Sequence, residues 1–282
     1  MKKLFSGVFL LLMALSGIIG GCSSQPQHFD VTTSEQKRDK LIIAGSGSNI
    51  AVTKKLLAAF NEEQKINAVI PASIGSGGGI SGVANGNIDL GITSRPLADS
   101  EKTNGLKEIP YARSGLIVAV GSAVPDNNIS YEDLVRIYQG DKTTWSNGVP
   151  IIVFVMYEKD STNEVLMREI PGFKEALLDS LRNNRWQVFY NQQSQEQALA
   201  KTPNSIGFIN MSATLEGIKV LKVNGIMPSR ENIENNSYKL YKTLNYVYQE
   251  PIDPKMGAFI NFTLSQRGRD ILLSNECIPL SK

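Results

Sequence analysis

Histidine is almost absent from this chain of 282 residues, and the single one, His28, lies near the N-terminus. With none farther on, the folded part cannot assemble a serine–histidine–aspartate triad, a cysteine–histidine nucleophile or a histidine metal site. Cysteine is nearly as scarce: Cys22 and Cys277 are the pair, far apart and outside any CxxC motif. We therefore expect no catalytic residue, no metal site and no cofactor, with Cys277 a small buried hydrophobe. Charge of one sign is also lacking. The formal excess of +2 equals the contribution of Lys2 and Lys3, so the remainder carries 29 − 2 = 27 basic residues against 27 acidic ones. Such a balance does not suit a nucleic-acid partner. Internal repeats and low-complexity tracts are missing too.

The one long apolar run begins after Lys2-Lys3 and extends from Leu4 to Ile19. A basic start followed by a short apolar stretch is the layout of a secretory signal, here residues 1–21, and it falls short of the roughly 20 apolar residues of a membrane span. Ile19-Gly20-Gly21-Cys22 then sets a cysteine behind two tiny residues, which resembles the lipobox at which bacterial signal peptidases cut before Cys22 is acylated. Residues 22–39 are polar apart from Phe29 and Val31, and such a segment cannot bury enough surface to offset its ordering entropy. It reads as a tether holding the protein to a membrane by its lipid.

Three strand-to-helix junctions carry the chemistry of the remainder. In the first, Leu41-Ile42-Ile43-Ala44 runs through Gly45-Ser46-Gly47 into a helix expected over residues 50–63, with Ser48 and Asn49 as capping residues. Glycines let the backbone turn tightly, so the first N–H groups of the helix can point at an anion; the same turn also serves as a plain loop. A phosphate-loop lysine is missing, which excludes a nucleotide triphosphatase site. The second junction, Gly75-Ser76-Gly77-Gly78-Gly79-Ile80-Ser81-Gly82, has the composition of a backbone nest and is expected to precede a short helix over 80–87. Its G-x-G-x-x-G spacing at Gly77, Gly79 and Gly82 matches the dinucleotide fingerprint only weakly, because the following helix is short. A strand then ends in Thr93-Ser94-Arg95. The third junction follows an apolar strand over 150–156 with Tyr157 and Lys159, and enters a helix through Ser161-Thr162-Asn163-Glu164, a capping-box spacing.

Together these motifs resemble the phosphate-binding proteins of bacterial ABC importers, a branch of the periplasmic binding proteins. Gly45-Ser46-Gly47-Ser48, Gly75-Ser76-Gly77-Gly78-Gly79-Ile80, Asp89-Leu90-Gly91 through Leu97, Gly140 with Trp145, Ile206-Gly207-Phe208 and Val223-Asn224-Gly225 carry the likeness over nearly the whole chain. The resemblance implies an α/β fold of two lobes with a hinge and an interlobe ligand cleft. Lobe one would be residues 40–116 and 240–282 and lobe two residues 117–239, with the chain crossing near Ile117 and Leu240. It further implies capture of inorganic phosphate or a similar oxyanion, delivery to ABC permease subunits, and a monomer. Ligand contacts would fall on Ser48, Asn49, Ile50, Ser76, Gly77, Ser94, Arg95, Ser161, Thr162 and Asn163.

The chain departs from the family at two places. Relatives carry an arginine where this sequence has Tyr157, and many carry an aspartate where it has Ser94. Losing a guanidinium removes a charge-assisted, often bidentate bond. Arg95 is expected to supply the missing positive charge from the opposite lobe, with Lys159 as a second source, while Glu164 opposes an anion. The alternatives left open are a different oxyanion, or a ligand sensor or surface interaction protein built on the same lobes.

Overall fold

Short apolar strands alternate with helices along the chain, and each early strand ends where a helix begins. The computed structural model describes residues 40–102, 105–213 and 215–280; the signal segment, Cys22 and the tether lie outside the described residues. β1 (Leu41–Gly45) leads into α1 (Gly47–Glu63), β2 (Ala68–Val69) into α2 (Gly75–Ala84), and β3 (Leu90–Thr93) into the short α3 (Asp99–Lys102). The long β4 (Leu106–Gly121) comes next, then β5 (Asn128–Ile129), α4 (Tyr131–Gln139) and β6 (Ile152–Met156). There follow α5 (Ser161–Glu169), α6 (Phe173–Arg182), β7 (Gln187–Phe189), α7 (Gln192–Lys201), β8 (Ser205–Asn210), β9 (Ile218–Val223) and α8 (Arg230–Glu234). The return consists of β10 (Tyr241–Gln249), α9 (Pro254–Leu264), α10 (Gln266–Leu273) and β11 (Cys277–Pro279).

β4 joins two sheets. Its first half, Leu106 to Gly115, pairs antiparallel with β10, and β10 in turn borders β3, followed by β1 and β2 in parallel. Its second half, Leu116 to Val120, pairs antiparallel with β8, beyond which β6 and β7 run parallel. Two hydrophobic cores match the two sheets. One gathers Ile43, Leu56, Phe60, Leu90, Tyr246 and Phe259, and the other Leu134, Val155, Phe173, Leu177, Ile206 and Phe208. β4 feeds both, giving Tyr111 and Ala112 to the first and Leu116, Val118 and Val120 to the second. The result is the two-lobed α/β architecture, with both lobes built on parallel strand–helix units. In such units the helix N-termini gather beyond the carboxyl ends of the strands, where ligands bind.

Local sequence explains α4 well. Ser130 caps it by accepting from Asp133 N–H at 2.9 Å, and Gly140 ends it in the left-handed conformation at φ 89°. Its buried face of Leu134, Ile137 and Tyr138 packs in the second core, where each such side chain contributes roughly 1.5–3 kcal/mol. Cys277 is the buried small residue expected, and burial pushes its thiol up to about 12.

Other boundaries need correction. α1 begins at Gly47, three residues before the expected start, with Ser46 at its N-cap. α2 begins at Gly75, so the glycine run forms the first turn of a helix rather than a separate nest. Only Gly75 of that run has positive φ (75°), and Gly79 lets α2 lie on β1, because a Cβ there would come within 2.9 Å of Gly45 Cα. α5 is capped by Asp160, whose carboxylate accepts from Thr162 N–H at 2.8 Å, so Ser161 is the first helical residue and not the cap.

Candidate functional site

The N-termini of α1, α2, α5 and α7 converge on one cleft between the two sheets, with Lys242 of β10 at its floor. Lys242 sits two residues past Leu240, whose carbonyl accepts from Leu116 N–H at 2.8 Å. Its ammonium donates to Ser48 Oγ on α1 and to Thr162 Oγ1 on α5, both at 2.9 Å. One lysine thus ties the two walls. Ser48 also faces Gln192 Oε1, at the start of α7, at 3.5 Å. Gln192 is held in turn by Asn210 at the end of β8, the Asn210 amide donating to Gln192 Oε1 and Gln192 Nε2 donating back at 2.6 and 3.3 Å.

On the first wall, side chains lock the loop after β3 to α1 and α2. Asn49 donates to Thr93 O at 2.9 Å and to Tyr111 Oη at 3.3 Å, and accepts from Ser94 Oγ at 2.6 Å. Because Ser94 spends its one hydroxyl proton on Asn49, Ser46 must be the donor in the 2.8 Å Ser46–Ser94 contact. The Ser94 N–H donates to Ser76 Oγ at 3.1 Å. The second wall mirrors this arrangement. Asn163, third residue of α5 as Asn49 is of α1, donates to Met156 O at 3.0 Å and Tyr157 O at 2.9 Å and so fixes the turn after β6. Both asparagines are buried, and both brace the loops that present the hydroxyls.

The helix starts also determine which backbone donors are free. An α-helix leaves its first N–H groups unpaired. With α1 beginning at Gly47, those include Gly47 and Ser48, while the Ile50 N–H lies one turn in; Gly77, by contrast, is the third residue of α2 and falls within its first turn, and Ser161 opens α5.

Arg95 stands at the cleft with its charge engaged. Its guanidinium grips Glu101 with two bonds of 2.7 and 2.8 Å and approaches Glu164 of α5 at 3.4 Å. The hydrogen bond to Glu101 raises the Arg95 pKa and lowers that of Glu101, so the charge is already matched. Tyr157 stacks on Tyr190 with ring centroids 5.9 Å apart and places its hydroxyl over α2, 2.9 Å from where a Gly75 Cβ would stand. Lys159 is exposed. Between the walls remains a cavity of about 20 Å³ lined by Ser94, Arg95, Ser161, Glu164 and Lys242 among others, room for about one water. Burial pushes the Glu164 carboxyl up, with Arg95 opposing.

Comparison with known proteins agrees with this geometry. A family described as a PBP superfamily domain matches residues 30–267. The chain belongs to the PBP superfamily. Among curated relatives of this superfamily member, the phosphate-binding protein PstS of Borreliella burgdorferi is 24% identical over 96% of both chains. The PstS of Staphylococcus aureus strain USA300 is 25% identical over 93% of this chain and 82% of its own. Among solved structures, a putative phosphate ABC transporter substrate-binding protein from Clostridium perfringens, with phosphate bound, is 26% identical, with a TM-score of 0.79 over 86% of this chain and 100% of that one. An ABC-type phosphate transport receptor from Vibrio cholerae shares the fold at a TM-score of 0.66 and 23% identity.

Sequence reasoning missed Lys242, Gln192 and Asn210. A signal for Lys242 existed. Alternation along a strand puts residues 240, 242 and 244 on one face, so a lysine between Leu240 and Leu244 faces inward. Gln192 and Asn210 had no comparable mark, since polar residues at a helix start and a strand end are ordinary.

Proposed function

We propose that the chain is the extracytoplasmic receptor of an ABC importer for inorganic phosphate, that it is tethered to the membrane by a lipid on Cys22, and that it acts as a monomer. One observation carries the ligand reading: Ser48, Ser76 and Thr162 each accept a hydrogen bond from a group that can only donate. Lys242 donates to Ser48 and Thr162, and the Ser94 amide donates to Ser76. Each hydroxyl therefore has its own proton to give away, and that of Ser48 goes to Gln192 Oε1 across a long 3.5 Å contact. Donors on opposite walls, set on helix N-termini with their partial positive charge, suit a ligand rich in acceptors and negative charge. The phosphate-bound relative from Clostridium perfringens supports phosphate among such ligands.

With about one water's volume between the walls, entry requires the lobes to part about the strand crossings and close again, as in hinge-type receptors. No nucleophile–base pair or metal chemistry is needed for capture and release. Calorimetric titration of the ligand-stripped chain against phosphate, sulfate and other oxyanions tests the proposal. Saturable one-to-one binding with phosphate preferred is expected, and preference for another oxyanion or for none would refute it.

A further inference from the structure

We infer that Lys242 is the cationic ligand-binding residue of this receptor, replacing from the floor of the cleft the guanidinium that Tyr157 has displaced. The inference rests on the anion-capture reading and names the group that neutralises the anion. Lys242 is 1% exposed, yet its hydrogen-bond acceptors are two neutral hydroxyls. The nearest carboxylate oxygen, Asp160 Oδ1, stands at 4.0 Å and is already engaged by the Thr162 amide. Glu164, the other acidic group acting on it, approaches Arg95 at 3.4 Å, and burial pushes its carboxyl up. A lysine ammonium has three donors, and burying it without a close counter-charge is costly. Such a charge is under-compensated in the ligand-free protein and becomes compensated when an anion enters the cavity that Lys242 itself lines.

The other cations of the cleft do not fill this place. Arg95 is committed to Glu101 and Glu164, Arg168, which also lines the cavity, pairs with Glu169 at 2.6 Å and is largely exposed, and Lys159 is exposed. Lys242 also acts on both walls at once, because its donation leaves the Ser48 and Thr162 protons for other acceptors. Ser48 meets only a 3.5 Å acceptor in Gln192, which a phosphate oxygen can displace. Lys242 thereby couples closure of the lobes to the charge of the ligand.

The test is phosphate titration of the full chain carrying Lys242→Met or Lys242→Gln, with thermal unfolding of each in the absence of phosphate. Methionine keeps the stem and removes the charge, and glutamine keeps donors without charge. Both are expected to lose about tenfold to a hundredfold in phosphate affinity, the range for a hydrogen bond to a charged group. Ligand-free melting of Lys242→Met should stay level or rise, since removing an ill-compensated buried charge relieves a cost. Wild-type affinity in both variants, or retention by Lys242→Gln, would overturn the role of the charge while leaving phosphate capture standing. If the wild type binds sulfate and ignores phosphate, the phosphate reading fails, and loss of sulfate binding in Lys242→Met still upholds the lysine. A Lys242→Met protein that unfolds more easily and binds normally would show a purely structural lysine and sink the inference.

Discussion

Arg95 and Lys242 show how a single contact redistributes the roles that sequence alone suggests. Arg95 is conspicuous beside Ser94 and invites assignment as the missing cation, yet a bidentate bond to Glu101 and the approach to Glu164 absorb its charge. Arg95→Ala should therefore reduce phosphate affinity by less than about fivefold, the value of a partly exposed ion pair. A loss of a hundredfold in calorimetry would return Arg95 to the ligand. Lys242 carries a pH signature as well. Burial lowers its pKa, with Asp160 and Glu164 raising it part of the way back. Between the lowered folded value and the unfolded value of about 10.4, the unfolded chain binds the extra proton. Ligand-free stability is therefore expected to rise with pH across that window. Phosphate affinity is expected to fall across the same window as the ammonium is lost. Chemical denaturation and titration over an alkaline pH series check this pair of opposite slopes; parallel slopes would contradict it.

At the scale of the element, the helix N-terminus is the working unit. α1 and α5 repeat one design, with an asparagine at the third helical position donating to the carbonyls of a neighbouring loop. The caps differ: Ser46 turns its hydroxyl to Ser94, whereas Asp160 caps α5 directly. Asp160→Ala should cost about 0.5–2 kcal/mol of stability and Asp160→Asn much less, because asparagine caps nearly as well as aspartate. Urea unfolding of the two variants measures the difference. Much of this level was legible in the sequence. The strand–loop–helix order and the three hydroxyl-bearing junctions follow from periodicity and capping chemistry. The starts of α1 and α2 were not, for a physical reason. Glycine and serine disfavour helix in isolation, and here close packing overrides propensity, with Gly79 against Gly45 and Ser76 holding the Ser94 amide. The α7 wall stayed hidden because its Gln192 contacts Ser48 across 144 positions of sequence, beyond the reach of any local pattern.

At the scale of the molecule, two cores share β4 and β10, and the cleft lies where those strands pass from one lobe to the other. We propose that the lobes divide near Ile117 and Leu240, so that Lys242 stands at the hinge and senses both walls. Upstream, Cys22→Ala is expected to abolish membrane association of the processed chain, since a lipid on that residue is the anchor proposed. Membrane fractionation reads this directly, and an unchanged membrane-bound fraction would contradict it. The central claim is that one phosphate is held between opposite walls by hydroxyls that accept from fixed donors and give their protons to the ligand. Phosphate calorimetry on Ser48→Ala, Thr162→Val and the double variant tests it most directly. The account predicts that each single variant loses about three- to tenfold or more, as for a hydrogen bond worth roughly 0.5–1.5 kcal/mol. The double variant should depart from additivity, because both hydroxyls share Lys242 and the same ligand. Wild-type affinity in both single variants would contradict the account.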